Sequence, residues 1–427
     1  MLVYRAQRLY RGLSRFSSSR GALSSHESEE FFVYPRNIEG DNATVNWSLL
    51  ESGVTNAGLA FHNYSIPKLL KRVGVKDAGK SFDVATLKVK GSGALLEAGD
   101  NLDHDEFGDN LSVVQNSLSA GQDMFVDDLS VGSHANLRLG VRVVSRKPEV
   151  SLAARSMLFP LPEQPIRLRA ARKGWNLGSD YKESVEEDCF WDGKQYVDIP
   201  NNVPRQGHRP IIVLLGDVRK SIGDQNVGTQ FLQFRDEIVG ATIVASDNVP
   251  VSTLFQAVGT AASVIINNDV SLNSVVLPAA TFVKNGKSYV VVNATEEVIT
   301  AAVASGAQLY GTHFQILSNK GVASLLNGGV SEKAPLNNSH LDSESTTAIS
   351  LKGKEGFVTG LQPDNLTFPA SKIILFDQSG KTDATKLKDT LVELSDVKKE
   401  VVVTQLLENV GGSIATSAAQ VTALLVQ

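Results

Sequence analysis

The chain reads as a mixed α/β protein built of two α/β domains with mixed sheets, and three observations predict this. Continuous apolar runs at 211–215, 241–245, 263–266, 288–292 and 372–376 have the length and character of strands buried on both faces. Stretches with helical character fall between them at 228–237, 296–304 and 384–394. The length, 427 residues of which 42% are hydrophobic and 20% charged, suffices for more than one core.

The elements follow in order. Residues 1–25 carry Arg5, Arg8, Arg11, Arg15 and Arg20, no acid and no lysine, with Ser17-Ser18-Ser19 near the end. An arginine- and serine-rich, acid-free amphipathic leader has the composition of a mitochondrial transit peptide, and the matrix is the expected compartment. A basic nucleic-acid arm competes with that reading; the lack of lysine favours targeting. Residues 26–60 are polar and irregular and are expected to form an arm. The first α/β domain is expected over 61–205. It opens with a helix over 64–73, with Ser65 as N-cap and Pro67 in the first turn. Strands are predicted at 85–89, 124–129 and 137–144, then a helix over 151–158. Residues 161–209 are dense in charge and turn formers. A diverged nucleotide-domain-like α/β domain is expected over 206–395, interrupted by a surface loop at 328–350 that is rich in glycine, asparagine and serine. Residues 396–427 form an apolar packing segment, read as strand, turn and helix.

Composition excludes several classes of function. The net charge of -5 provides no global basic field to hold nucleic acid, so any such contact needs a local patch. A single cysteine, Cys189, excludes an intrachain disulfide framework. It follows Glu186-Glu187-Asp188, acids that work against a reactive thiolate. No apolar run approaches the roughly 20 residues of a membrane span.

One stretch carries a family resemblance. It reads Gln122-Asp123-Met124-Phe125-Val126-Asp127-Asp128-Leu129, then Leu137-Arg138-Leu139-Gly140-Val141-Arg142-Val143-Val144, then Ser151-Leu152-Ala153-Ala154-Arg155-Ser156-Met157-Leu158. This resembles the succession of strand, strand and helix in ATP-type phosphoenolpyruvate carboxykinases. Fainter similarities flank it at 63–71, at Gly93-Ala94-Leu95, at 209–220 and at 371–376. The resemblance implies a carboxykinase-like fold. It also exposes departures. Where the family carries Thr-Gly-Arg-Ser-Pro, this chain has Glu97-Ala98-Gly99-Asp100-Asn101-Leu102-Asp103, without the arginine fork that clamps a carboxylate. The family's metal-binding histidine has no counterpart between Asp217 and Asn248. In the expected nucleotide domain, 206–395, no Gly-x-x-x-x-Gly-Lys-Ser/Thr loop occurs to cradle the β- and γ-phosphates; the match to that pattern, Gly74-Val75-Lys76-Asp77-Ala78-Gly79-Lys80-Ser81, follows the 64–73 helix instead of a strand. Phosphoryl transfer is largely positioning and charge stabilisation, so these departures imply a pseudoenzyme with no catalytic residues.

The candidate binding residues are few. Asp377-Gln378-Ser379-Gly380-Lys381-Thr382 follows a buried strand and precedes a helix, the setting of a phosphate loop, with Lys381 and Thr382 as its ligands. Arg219 and Lys220 follow the 211–215 strand, where ligands of open α/β sheets bind. Arg167, Arg169, Arg172, Lys173 and Trp175 could contact RNA phosphates and stack a base. For each group an ordinary solvated turn or loop competes. Asp103-His104-Asp105-Glu106 lies in a loop and is not expected to gather a metal ion. The expected function is a structural platform in a mitochondrial multiprotein assembly, with other mitochondrial subunits or a paralogue as partners in a homo- or hetero-oligomer. The alternative is a module that binds a nucleoside triphosphate, the candidate ligand, or an RNA 5′-triphosphate in an RNA-processing complex. A divergent active phosphotransferase is the third reading.

Overall fold

The computed structural model describes residues 39–42, 49–55, 58–73, 83–84, 104–132, 138–161, 189–191, 196–198, 210–218, 227–234, 237–249, 251–270, 272–318, 321–326, 328–331, 348–351, 356–360, 370–383, 385–395 and 397–426. The architecture is mixed α/β with several mixed sheets.

The first sheet contains β1 (Gly40–Asn42), β2 (Ala60–His62), β3 (Met124–Val131), β4 (Leu139–Ser145), β5 (Ile211–Gly216), β6 (Val227–Phe234) and β7 (Glu237–Ser246). Its order is β1-β2-β3-β4-β5-β7-β6, and a short strand, Phe159–Pro160, adds to β3. Strands β4, β5 and β7 are parallel neighbours, so their carboxyl ends share one edge. Helix α1 (Ile66–Val73) follows β2, α2 (His104–Leu118) precedes β3, α3 (Pro148–Met157) follows β4 and α4 (Val251–Asn268) follows β7. Strand alternation divides the side chains between two cores. Val126, Val144, Leu214 and Val244 face Phe107, Val114 and Leu118 of α2. Val141, Val143, Ile211, Val213 and Ile243 face Leu69 of α1, Leu152 of α3 and Phe255 and Val258 of α4.

The second half holds β8 (Ser274–Leu277), β9 (Ala279–Lys284), β10 (Lys287–Val292), β11 (Gln308–Gly311), β12 (Gln315–Ser318), β13 (Gly321–Ser324), β14 (Ala370–Phe376) and β15 (Gly412–Ala415). A five-stranded sheet runs β11-β9-β10-β14-β15, with β10, β14 and β15 parallel; a three-stranded sheet runs β8-β12-β13. Helices α5 (Glu296–Ala304) and α8 (Ala418–Leu424) cover one face of the larger sheet. Helices α6 (Leu387–Ser395) and α7 (Glu400–Val410) cover the other. The end of α4 joins the two halves. Asn267 donates through Nδ2 to the carbonyls of Val276 and Ser395 at 3.0 and 2.9 Å. Buried Lys399 donates to the carbonyls of Asp269 and Leu272 at 2.7 and 2.9 Å.

Several expectations need correction. The helix expected at 228–237 is strand β6, because Val227, Thr229 and Phe231 alternate with Gly228, Gln230 and Leu232 and pair along β7. The strand expected at 263–266 lies in the last two turns of α4. Leu254, Val258, Ala261, Ile265 and their neighbours repeat at helical spacing, a period that four residues cannot reveal. The loop reading at 103–106 gives way to α2, which begins at His104. The arm expected over 26–60 contributes β1, a 3-10 turn (Leu49–Ser52) and the buried Leu49 and Val54. The boundary expected at 205/206 runs through one hydrogen-bonded sheet, since β5, β6 and β7 continue the sheet of β3 and β4. Within 328–350, Gly328–Ser331 and the start of Ala348–Leu351 are strands. The last segment is helix, strand, helix. The strand expected at 85–89 and the Gly93-Ala94-Leu95 similarity lie outside the described residues.

Candidate functional site

Three parallel strands end side by side, and each delivers polar residues to the same edge. Beyond β4 come Arg146 and Lys147, beyond β5 comes Asp217, and beyond β7 come Asp247 and Asn248. Arg146 donates from Nε and Nη2 to Asp247 Oδ2 at 3.0 and 2.6 Å, and from Nη2 to Asp217 Oδ1 at 3.1 Å. Lys147 Nζ donates to the Asp247 carbonyl at 2.9 Å and to Asn248 Oδ1 at 2.8 Å. The turns are fixed locally: Ser145 Oγ accepts the Lys147 amide and Ser246 Oγ accepts the Asn248 amide. Ser117 of α2 accepts the Asp217 amide at 3.0 Å. A Cβ on Gly216 would come within 2.6 Å of that serine oxygen, so only glycine lets α2 approach here.

The cluster is electrically balanced, with two cations against two carboxylates. Partial burial works against the charge of the Arg146 guanidinium, but Asp247 and Asp217 together raise its pKa. The two carboxylates differ in setting. Asp247 is buried, and its Oδ1 has no hydrogen-bond partner. Asp217 is 70% exposed on its side chain, so its ion pair is the one open to exchange.

A second convergence lies beyond β14. The Asp377 carboxylate accepts the Ser379 amide on Oδ1 at 2.9 Å and the Thr382 amide on Oδ2 at 2.7 Å. The Ser379 hydroxyl also donates to Oδ1, and these bonds hold the Asp377 pKa well below the usual carboxylate range. Gly380 sits at φ 64°, a left-handed conformation suited to glycine. The loop therefore wraps its amides around the chain's own carboxylate. Asp383 repeats the device, accepting the amides of Thr385 and Lys386, and α6 starts only at Leu387.

A buried polar network crosses the first sheet. Asp128 and Arg142 are directly opposite on β3 and β4. Arg142 donates from Nε and Nη2 to the two Asp128 oxygens at 2.7 Å each, and His62 Nε2 lies 2.8 Å from Oδ2. Burial alone would raise the Asp128 pKa, but Arg142 and the hydrogen bonds from Arg142 and His62 hold it well below the ordinary range. Its neighbour Asp127 points to the opposite face, towards Ser151 and Arg155 of α3. Burial pushes the Asp127 pKa up, and Arg155 and Ser151 offset only part of that push.

The chain matches no protein-family model and no curated protein.

Of the residues singled out in the sequence, Lys381 and Thr382 lie in the Asp377 loop. Arg219, Lys220, Arg167, Arg169, Arg172, Lys173 and Trp175 lie outside the described residues. The edge residues Arg146, Lys147 and Asp247 were not singled out. Their signal is an ordinary one: polar residues directly after apolar strand runs, at 144–147 and 245–248. Among the described residues, no group of three or more histidines, cysteines or acids could hold a metal ion, and no helix is long and apolar enough to cross a membrane.

Proposed function

We propose that this chain is a non-catalytic, carboxykinase-like subunit that acts as an interaction platform in a mitochondrial multiprotein assembly. One observation carries this reading. At both carboxyl edges, groups suited to an anionic ligand are engaged by the chain's own carboxylates: Arg146 by Asp247 and Asp217, and the 377–382 amides by Asp377. Such groups brace the ends of strands. Transferring a phosphoryl group would require them free to stabilise developing charge. The departures from carboxykinase motifs point the same way, and the arginine-rich leader supports the compartment. The test is the size of the native particle in a mitochondrial extract, followed on a gradient. The reading expects a particle far above the 45.8 kDa of the chain or twice that mass. Migration wholly as a free chain or simple dimer would refute it.

A second reading is favoured by Asp217. Its exposed pair with Arg146 is one that a phosphate could replace, and the chain continues from Val218 into Arg219-Lys220. The ligand would be a nucleoside triphosphate or an RNA 5′-triphosphate. Thermal-shift titration with ATP, and with RNA bearing either a 5′-triphosphate or a 5′-hydroxyl, tests it. Equal, null responses would remove it.

A further inference from the structure

Strand β15 lies at the margin of the five-stranded sheet, with β14 on its only paired side among the described residues. The Ile373 amide donates to the Gly411 carbonyl and the Asp377 amide to the Ala415 carbonyl. In a parallel ladder this alternation turns the odd residues inward to β14, so the amides and carbonyls of Gly412 and Ile414 point away from the sheet. The amide of Thr416, next in the outward series, is taken by Gln420 Oε1 at 2.7 Å. That bond brings α8 to the open margin. Its Ala419, Gln420 and Ala423 are exposed at i, i+1 and i+4, and Val426, two residues past its end, is 61% exposed.

Native edge strands are ordinarily guarded by charge or proline. Here residues 409–427, nineteen in all, contain neither, whereas a chain that is 20% charged would place about four charges in such a stretch. An uncharged margin presents nothing that repels its own copy. It is also self-complementary in register. Placed antiparallel about a twofold axis beside Ser413, Gly412 of one chain faces Ile414 of the other. Each such pair exchanges two backbone hydrogen bonds, so every outward group of Gly412 and Ile414 is satisfied. The residue opposite each isoleucine is one without a side chain.

We propose that β15 and the exposed face of α8 pair with a second copy of this chain, joining two five-stranded sheets into one continuous sheet. The pairing names a partner for the platform and rests on that reading.

The decisive experiment is a cross-link in the full chain. In this register Ser413 faces its own counterpart as a non-hydrogen-bonded pair, with Cα atoms about 4.5 Å apart, inside the range of a disulfide. With Cys189 replaced by serine, Ser413→Cys should cross-link to a covalent dimer on mild oxidation, and Ser417→Cys should not. Sedimentation velocity of the unmodified chain should show twice 45.8 kDa at micromolar concentration. Ala423→Glu should revert it to monomer, and mixing Ala423→Glu with Ala423→Lys should restore the dimer. A monomer at all concentrations, or a dimer indifferent to both the cross-link position and the charge, overturns the inference. Purified protein that is monomeric, yet comes from a large native particle, would sink the pairing and spare the platform. A dimer with no larger native particle would do the reverse.

Discussion

Replacing Asp128 by alanine removes the carboxylate that holds Arg142 inside the first sheet. Both side chains are 0% exposed, and the guanidinium meets the carboxylate at 2.7 Å through two nitrogens. Losing one partner leaves a buried charge without its counter-ion, which costs about 3–5 kcal/mol. At roughly 2–4 °C per kcal/mol for a domain of this size, the melting temperature should fall by about 10 °C. The double substitution Asp128→Leu with Arg142→Met removes both charges and keeps the volume, and should restore most of the loss. Thermal and urea unfolding of the native chain, Asp128→Leu, Arg142→Met and the double form a double-mutant cycle. The pH dependence supplies a second check. The folded pKa of Asp128 is depressed, so its stabilisation is fully present above the unfolded value near 3.9 and is lost as pH falls below it. In Asp128→Asn that acid-side loss should shrink. A single substitution costing under about 1 kcal/mol, or a double that costs the sum of its singles, would refute the reasoning.

Three further outcomes follow from the same structure. Asp127 has a raised folded pKa, so its ionisation draws on stability as pH rises above the ordinary aspartate range; Asp127→Asn should flatten that part of a stability profile followed by denaturant midpoint. Gly259→Ala would set a Cβ 2.4 Å from the Phe314 ring. The overpacking cost of about 1–3 kcal/mol should exceed the roughly 1 kcal/mol gained in helix propensity, lowering the melting temperature by a few degrees. Asp377→Ala should speed hydrogen exchange at the Ser379 and Thr382 amides, read by mass spectrometry, and unchanged exchange would show that the carboxylate does not organise the loop.

How much of this was legible in the sequence depended on whether a signal was local. Helix α5 was placed at both ends, because Thr295 caps it and two glutamates open it. Strands β5, β7, β10 and β14 were visible as apolar runs. The failures share a cause. Whether 228–234 winds or extends is decided by pairing with β7, and whether 263–266 belongs to a helix is decided by a period longer than the run. The edge cluster was hidden for a related reason. Arg146, Asp217 and Asp247 are separated by 71 and 30 residues, and only the parallel order of β4, β5 and β7 brings them together.

The two carboxyl edges make the same choice in different halves of the chain. An open α/β edge offers unpaired amides and the ends of strands, a setting that attracts anions. In this protein an aspartate placed directly after the strand meets that demand: Asp217 and Asp247 after β5 and β7, Asp377 after β14. A carboxylate held in this way stiffens the turn without a ligand, and it sets a threshold that any incoming anion must exceed. Asp247 and Asp377 are tied by two bonds or more to the groups they engage, whereas Asp217 holds Arg146 through one exposed contact. An anion binding at these edges should therefore enter where Asp217 can be displaced, and the rest of the scaffold should remain as it stands.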